Sequence, residues 1–307
     1  MMTGTHSSWM AGLLAAALLA HMPASAQNRD SRPLDTAEII VTGTPQPTRR
    51  AIEKQARAIT RTELFFRLPL AQFQDPICPG IMGLPVATAQ LLVDRIRYNA
   101  ERIGIDTARD GKCEPNVIIA VVGNGQAEIK ALKARRGHLF KLISTSELDE
   151  LAADPGPVHA WANTMVRSRQ GDILHGDAEN GEIPTLFVAQ SQSHIFLAHR
   201  LDIVSAVVML DAAAINGLSV VQIADYATMR GFARTRPMDG EGSVDTILRL
   251  FDPETARPGE MSNFDIAYLR SLYGGIPNIP AVSKIAGIGR ELRKQSAADQ
   301  PDKPATP

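Results

Sequence analysis

The run NVIIAVVGN, residues 116–124, constrains the fold most. Its β-branched residues favour a pleated strand, and no polar side alternates with the apolar one. Such a strand is buried on both faces and needs cover on each. Before it, VATAQLLVDRIRYNAERIGI (residues 86–105) places Val93, Ile96, Ala100 and Ile103 at i, i+3, i+7 and i+10. That is one apolar helical stripe, with Asp94, Arg95, Arg97, Glu101 and Arg102 on the wet side. After it, residues 126–143 read as helix with a break at Gly137. A strand walled by helices predicts an α/β (α+β) fold, and 307 residues at 44% hydrophobic content suffice for a large core.

The first residues predict export. AGLLAAALLA is a ten-residue apolar run, too short to span a bilayer, and Ala24-Ser25-Ala26 follows as a small-x-small cleavage pattern. Residues 1–26 therefore read as a signal peptide, although the segment before the apolar run carries no Lys or Arg. No later apolar run reaches the ~18 residues of a spanning helix, so the mature chain is expected to be soluble in the periplasm or outside. Export places Cys78 and Cys113, the only cysteines, in an oxidising compartment. They are expected to pair, which adds ~3 kcal/mol in the loop-entropy picture. Net charge is −1 and only 5% of residues are aromatic, which disfavours phosphate-backbone binding and base stacking. No nucleic-acid partner is expected.

The rest of the chain reads as one domain, residues 38–294, between a flexible 27–37 segment and a disordered 295–307 tail. Residues 69–85 are turn-rich around Cys78. Residues 144–154 form a short helix capped by Ser146, and residues 158–169 a strand. IPTLFVAQS, SHIFLAH and DIVSAVVMLD supply further strands. Residues 219–233 are a helix capped by Ser219, with Val220, Ile223, Ala224 and Ala227 on its apolar face. MSNFDIAYLRSLYGG (261–275) is a second, with Ser262 as cap, Asp265 at the capping-box position and Gly274 at the end. IPAVSKIAGIGRELRK is the last.

Two resemblances follow from these residues. Glu38-Ile39-Ile40-Val41-Thr42-Gly43 resembles the short extended box near the mature start of TonB-dependent outer-membrane receptors, which implies a TonB contact. An ordinary first strand explains the same six residues, and no series of barrel strands follows. The second is larger. Met261, Ser262, Asp265, Leu269, Leu272, Tyr273 and Gly274, preceded by Thr246-Ile247-Leu248, resemble the ending of metzincin-type zinc proteases over roughly residues 200–275. The chain is also similar to uncharacterised exported bacterial proteins that keep this ending without the zinc motif. The resemblance implies a zincin-like mixed sheet with an N-terminal helix, a former active-site helix and C-terminal helices. It also implies that His-Glu-x-x-His should stand in VVQIADYATMRGF. Instead the ligand positions hold Gln222, Tyr226 and Phe232, and the general-base position holds Ile223.

Catalytic zinc takes three deprotonatable protein donors, and isoleucine cannot act as a base. No metal, cofactor or zinc-dependent catalysis is therefore expected. His138, His159, His175, His194 and His199 form no i, i+4 pair. Gln222, Asp225 and Tyr226 remain as a candidate polar cluster lining the former cleft, or as a structural network tying the helix to the sheet. Asp211 has the same two readings. Gly123-Asn124-Gly125 resembles the start of a dinucleotide loop, but Glu128 stands where the third glycine belongs, and a plain strand-to-helix turn is expected. Ser191, Ser193 and His194, with Asp202 or Asp211, offer a serine-hydrolase set without a nucleophile elbow. The expected function is non-catalytic binding of a protein or envelope ligand through the former substrate cleft. The alternatives are an envelope hydrolase or divergent peptidase, and a TonB-coupled accessory protein.

Overall fold

The computed structural model describes residues 47–62, 64–109, 113–176, 182–186, 188, 195–240, 242 and 244–298. The signal segment, residues 27–37, Glu38–Gly43, Ser191, Ser193, His194 and residues from 299 onward lie outside these. The fold is α+β. Its elements run α1 (Arg49–Ile59), β1 (Pro79–Met82), α2 (Val86–Ile103), β2 (Val117–Val122), α3 (Gly125–Arg135), α4 (Thr145–Ala153), β3 (Val158–Ser168), β4 (His199–Asp211), α5 (Val220–Phe232), α6 (Asn263–Tyr273) and α7 (Ala281–Ala298). The sheet is mixed, in the order β1-β2-β4-β3. β1, β2 and β4 are parallel, and β3 runs antiparallel along β4 with an irregularity at Asn163/Thr164.

The continuous apolar character of β2 has the predicted cause. Val117, Ile119 and Val121 face a large core shared with α1, α2, α5, α6 and α7. Ala120 faces a smaller one closed by Ile129, Phe140, Leu151, Trp161 and Met209. Helix α5 is buried from Ile223 to Phe232. Gly231 lets it lie on the sheet, because a Cβ there would come within 3.3 Å of Val117 and 3.6 Å of Val208. α2 ends at Gly104, whose φ of 82° is the left-handed C-terminal cap that glycine adopts without penalty. Cys78 and Cys113 are bridged. The bridge joins the approaches to β1 and β2, where the Asn116 and Val117 N–H groups also donate to the Cys78 carbonyl at 3.0 and 3.2 Å. Among the described residues no helix is long and apolar enough to cross a membrane.

Several elements differ from the sequence expectation. α1 and β1 arise in stretches read as unassigned or turn-rich. Ser144, not Ser146, caps α4, accepting from the Glu147 N–H at 3.2 Å. DIVSAVVMLD lies within the longer β4, whereas the described part of IPTLFVAQS makes only an isolated bridge between Thr185 and His175. The buried stripe of α2 is Leu92, Ile96, Asn99, Ala100 and Ile103, with an asparagine inside it. α7 continues to Ala298, beyond the expected domain end at Lys294.

Candidate functional site

Helix α5 begins with a reciprocal cap. The Ser219 Oγ accepts from the Gln222 N–H, and the Gln222 Oε1 accepts from the Ser219 N–H. Gln222 Nε2 donates to the Pro258 carbonyl at 2.8 Å. Both ends of the amide are therefore used to fix where the helix starts and where the 252–262 loop lies against it.

Asp225 is 0% exposed. Arg95 on α2 grips it with both fork donors, Nε to Oδ1 and Nη2 to Oδ2, each at 2.8 Å. Asn99 Nδ2 adds a bond to Oδ1 at 2.8 Å, and the Met261 N–H a bond to Oδ2 at 2.8 Å. Asn99 also donates to Thr228 Oγ1. A buried carboxylate is tolerated when it is paired and its lone pairs are filled, and both conditions hold. In return, the Asp225 hydrogen bonds hold the Arg95 guanidinium above its usual range. The network ties α5 to α2 and to the entry of α6, rather than to the sheet. It also removes Arg95 from the wet face on which the helical period places it.

Tyr226 is 1% exposed, stacks edge-on against Phe251 with centroids 4.9 Å apart, and accepts a bond from Arg230 at 3.0 Å. Burial pushes its hydroxyl pKa up. Phe232 is fully buried and meets Phe73 edge-on at 6.4 Å. Gln222, Asp225 and Tyr226 share no hydrogen bond with one another. Each is committed to a different neighbour, and the face bearing positions 226 and 232 is packed core.

A second carboxylate lies nearby. Asp265, in the capping box of α6, is 0% exposed. Its Oδ1 accepts from Thr246 Oγ1 at 2.6 Å, and its Oδ2 accepts from the N–H groups of Ile247 and Ser262 at 2.8 and 2.9 Å. These bonds close the 3-10 turn Ile247–Arg249. Desolvation outweighs them and pushes the carboxyl up to about 6. Beside it lies an open cleft of about 410 Å³, whose lining includes Thr246, Arg249, Arg257, Pro258, Glu260 and Ser262.

The other candidates disperse. Asp202 pairs with Arg200 at 2.9 Å and Arg167 at 3.3 Å. Asp211 Oδ1 accepts the Gly125 N–H at 2.6 Å, and Asn124 caps α3 through the Ala127 N–H at 2.7 Å. A carboxylate of the chain thus already covers the helix end where a pyrophosphate would sit, and Gly123-Asn124-Gly125 is the expected strand-to-helix turn. Among the described residues no group of three or more His, Cys, Asp or Glu side chains could hold a metal ion. The partners of Asp225 were the missed residues. The only sequence signal for them was Asn99 interrupting an apolar stripe four positions after Arg95. No protein-family model, curated protein or solved structure matches this chain.

Proposed function

We propose that the chain is an exported, non-catalytic binding protein on a zincin-like scaffold that has lost its metal chemistry, and that it takes an extended polypeptide segment along the outer edge of β3. The observation that carries this is the edge itself. The Asp211 N–H donates to the Pro157 carbonyl on the β4 side, and the Ser168 N–H turns away to Asp172. The register between these points directs the N–H and C=O groups of Val158, Ala160, Ala162, Thr164 and Val166 away from β4. The Val166 end is closed by the antiparallel bridge of Arg167 to Ile173, and among the described residues no backbone group pairs with Val158, Ala160, Ala162 or Thr164 on that side. Such a row accepts an added strand. Val158 and Ala162 share the core with α5, so the edge is held by the same rigid helix. The commitment of Gln222, Tyr226 and Phe232 to caps and core supports the loss of metal chemistry. The disulfide and the leader-like N-terminus support a periplasmic or secreted location.

A hydrolytic reading is favoured by one observation. Asp265, with its raised pKa, touches Thr246 and Ser262 at the wall of the 410 Å³ cleft. Ser262 is a poor nucleophile there, since its Oγ donates to the Asp245 carbonyl at 2.6 Å and caps α6. The TonB-coupled reading rests on Glu38–Gly43, outside the described residues.

The test is to add a peptide digest of envelope proteins to the mature protein. Amide hydrogen exchange on β3 and the mass spectrum of the peptides are then followed together. Slowed exchange at Ala160, Ala162 and Thr164 with intact peptides is expected. Cleavage would establish the hydrolase instead, and unchanged exchange without cleavage would overturn both readings.

A further inference from the structure

A second cleft, of about 290 Å³, lies where the end of α6 meets α7. Its lining carries four cations, Arg270, Lys284, Arg290 and Lys294, against one carboxylate, Glu291. Glu291 is already paired with Lys294 at 2.8 Å. Among the described residues no carboxylate pairs with Arg270, Lys284 or Arg290.

Lys284 is the unusual member. It is only 4% exposed. Its Nζ donates to the Gly274 carbonyl at 2.6 Å, which satisfies one orphan carbonyl at the end of α6. That capping role uses one of three ammonium donors. An ammonium buried without a counter-charge is costly, and desolvation pulls its pKa down to about 8. Arg270 is anchored through Nε to the Arg102 carbonyl at 2.9 Å, which leaves its terminal nitrogens free of that bond. Arg290 is exposed at the rim.

We propose that this cleft binds a phosphate-bearing anion, with Lys284 at its floor and Arg270 and Arg290 completing the charge. A doubly charged phosphate carries more charge and more acceptor oxygens than one carboxylate, and so matches several cationic donors at once. The volume leaves room for a small organic group on the phosphorus. This site is separate from the β3 edge and does not rest on the peptide-binding reading.

The test uses inorganic phosphate, added to the mature protein at constant ionic strength against chloride, with thermal unfolding as the readout. Phosphate is expected to raise Tm in a saturable way. Lys284→Met, which keeps the buried stem, and Arg290→Gln, an exposed change, are each expected to weaken the apparent affinity by about tenfold or more. Arg290→Gln leaves the fold intact, so the test survives if the buried variant misfolds. A Tm rise no larger than with chloride overturns the site, as does a rise of equal affinity in Arg290→Gln. Given saturable phosphate binding, a second arm assigns its source. Binding to phosphatidylglycerol vesicles that phosphate displaces points to a lipid headgroup, and no vesicle binding points to a soluble phosphate ester.

Discussion

Asp225 and Asp265 are both carboxylates with no exposure, on helices that meet in the same core, yet they are buried on opposite terms. Asp225 has a guanidinium fork, an amide and a backbone N–H, so its charge is matched by a charge. Asp265 has two hydroxyls and N–H groups but no cation, so only dipoles oppose its desolvation, and its pKa climbs to about 6. The first is a fixed clamp between α5, α2 and the entry to α6. The second is a clamp whose strength depends on its proton. The oxygens of both are taken up by partners within the chain.

Breaking the charged clamp is expected to cost most. Arg95→Met leaves Asp225 buried and uncompensated, which should lower unfolding stability by about 3–5 kcal/mol in urea titration. Next comes the pH dependence of Asp265. Its folded pKa of about 6 exceeds the ordinary 3.8, so between these values the native state holds more protons than the unfolded state. Stability from this group is therefore greatest below about pH 4 and falls as pH rises toward 6, by about 3 kcal/mol in all. Asp265→Asn should remove that slope, seen as the difference between urea midpoints at pH 4 and 7, and a slope unchanged by the substitution would put the proton elsewhere. The smallest effect is expected at the cap of α5. Gln222→Ala should cost about 1–2 kcal/mol, as loss of the capping bond from the Ser219 N–H and of the bond to the Pro258 carbonyl does. A loss as large as that of Arg95→Met would mean that Gln222 serves more than the cap and the Pro258 carbonyl.

What the sequence made legible was local. Ser219 as a cap, and Ser262 with Asp265 as a capping box, announce two helix starts, because capping partners lie within four residues. That Gln222 completes the first box is shown by the structure. The β2 run and its flanking helices likewise predicted a layered α+β fold. α1 carries the same kind of signal, with Thr48 as cap and Ile52, Ala56 and Ile59 at i, i+4 and i+7. The four residues of β1 carry no period to read and become a strand only through pairing with β2. The partner of Asp225 lies 130 residues away in the chain, and no spacing rule reports such a contact. Helical period puts Arg95 on the wet face because it ignores the reach of the side chain, which carries the guanidinium over the rim of α2 to the buried Asp225.

The most direct measurement is a double-mutant cycle on Arg95 and Asp225. Arg95→Met, Asp225→Asn and the double variant would be unfolded in urea beside the unaltered protein. The clamp predicts a coupling of about 2 kcal/mol or more, since the fully buried Asp225 has the Arg95 fork as its counter-charge. Additivity within about 0.5 kcal/mol would contradict it and return Asp225 to the residues that need a ligand to explain them.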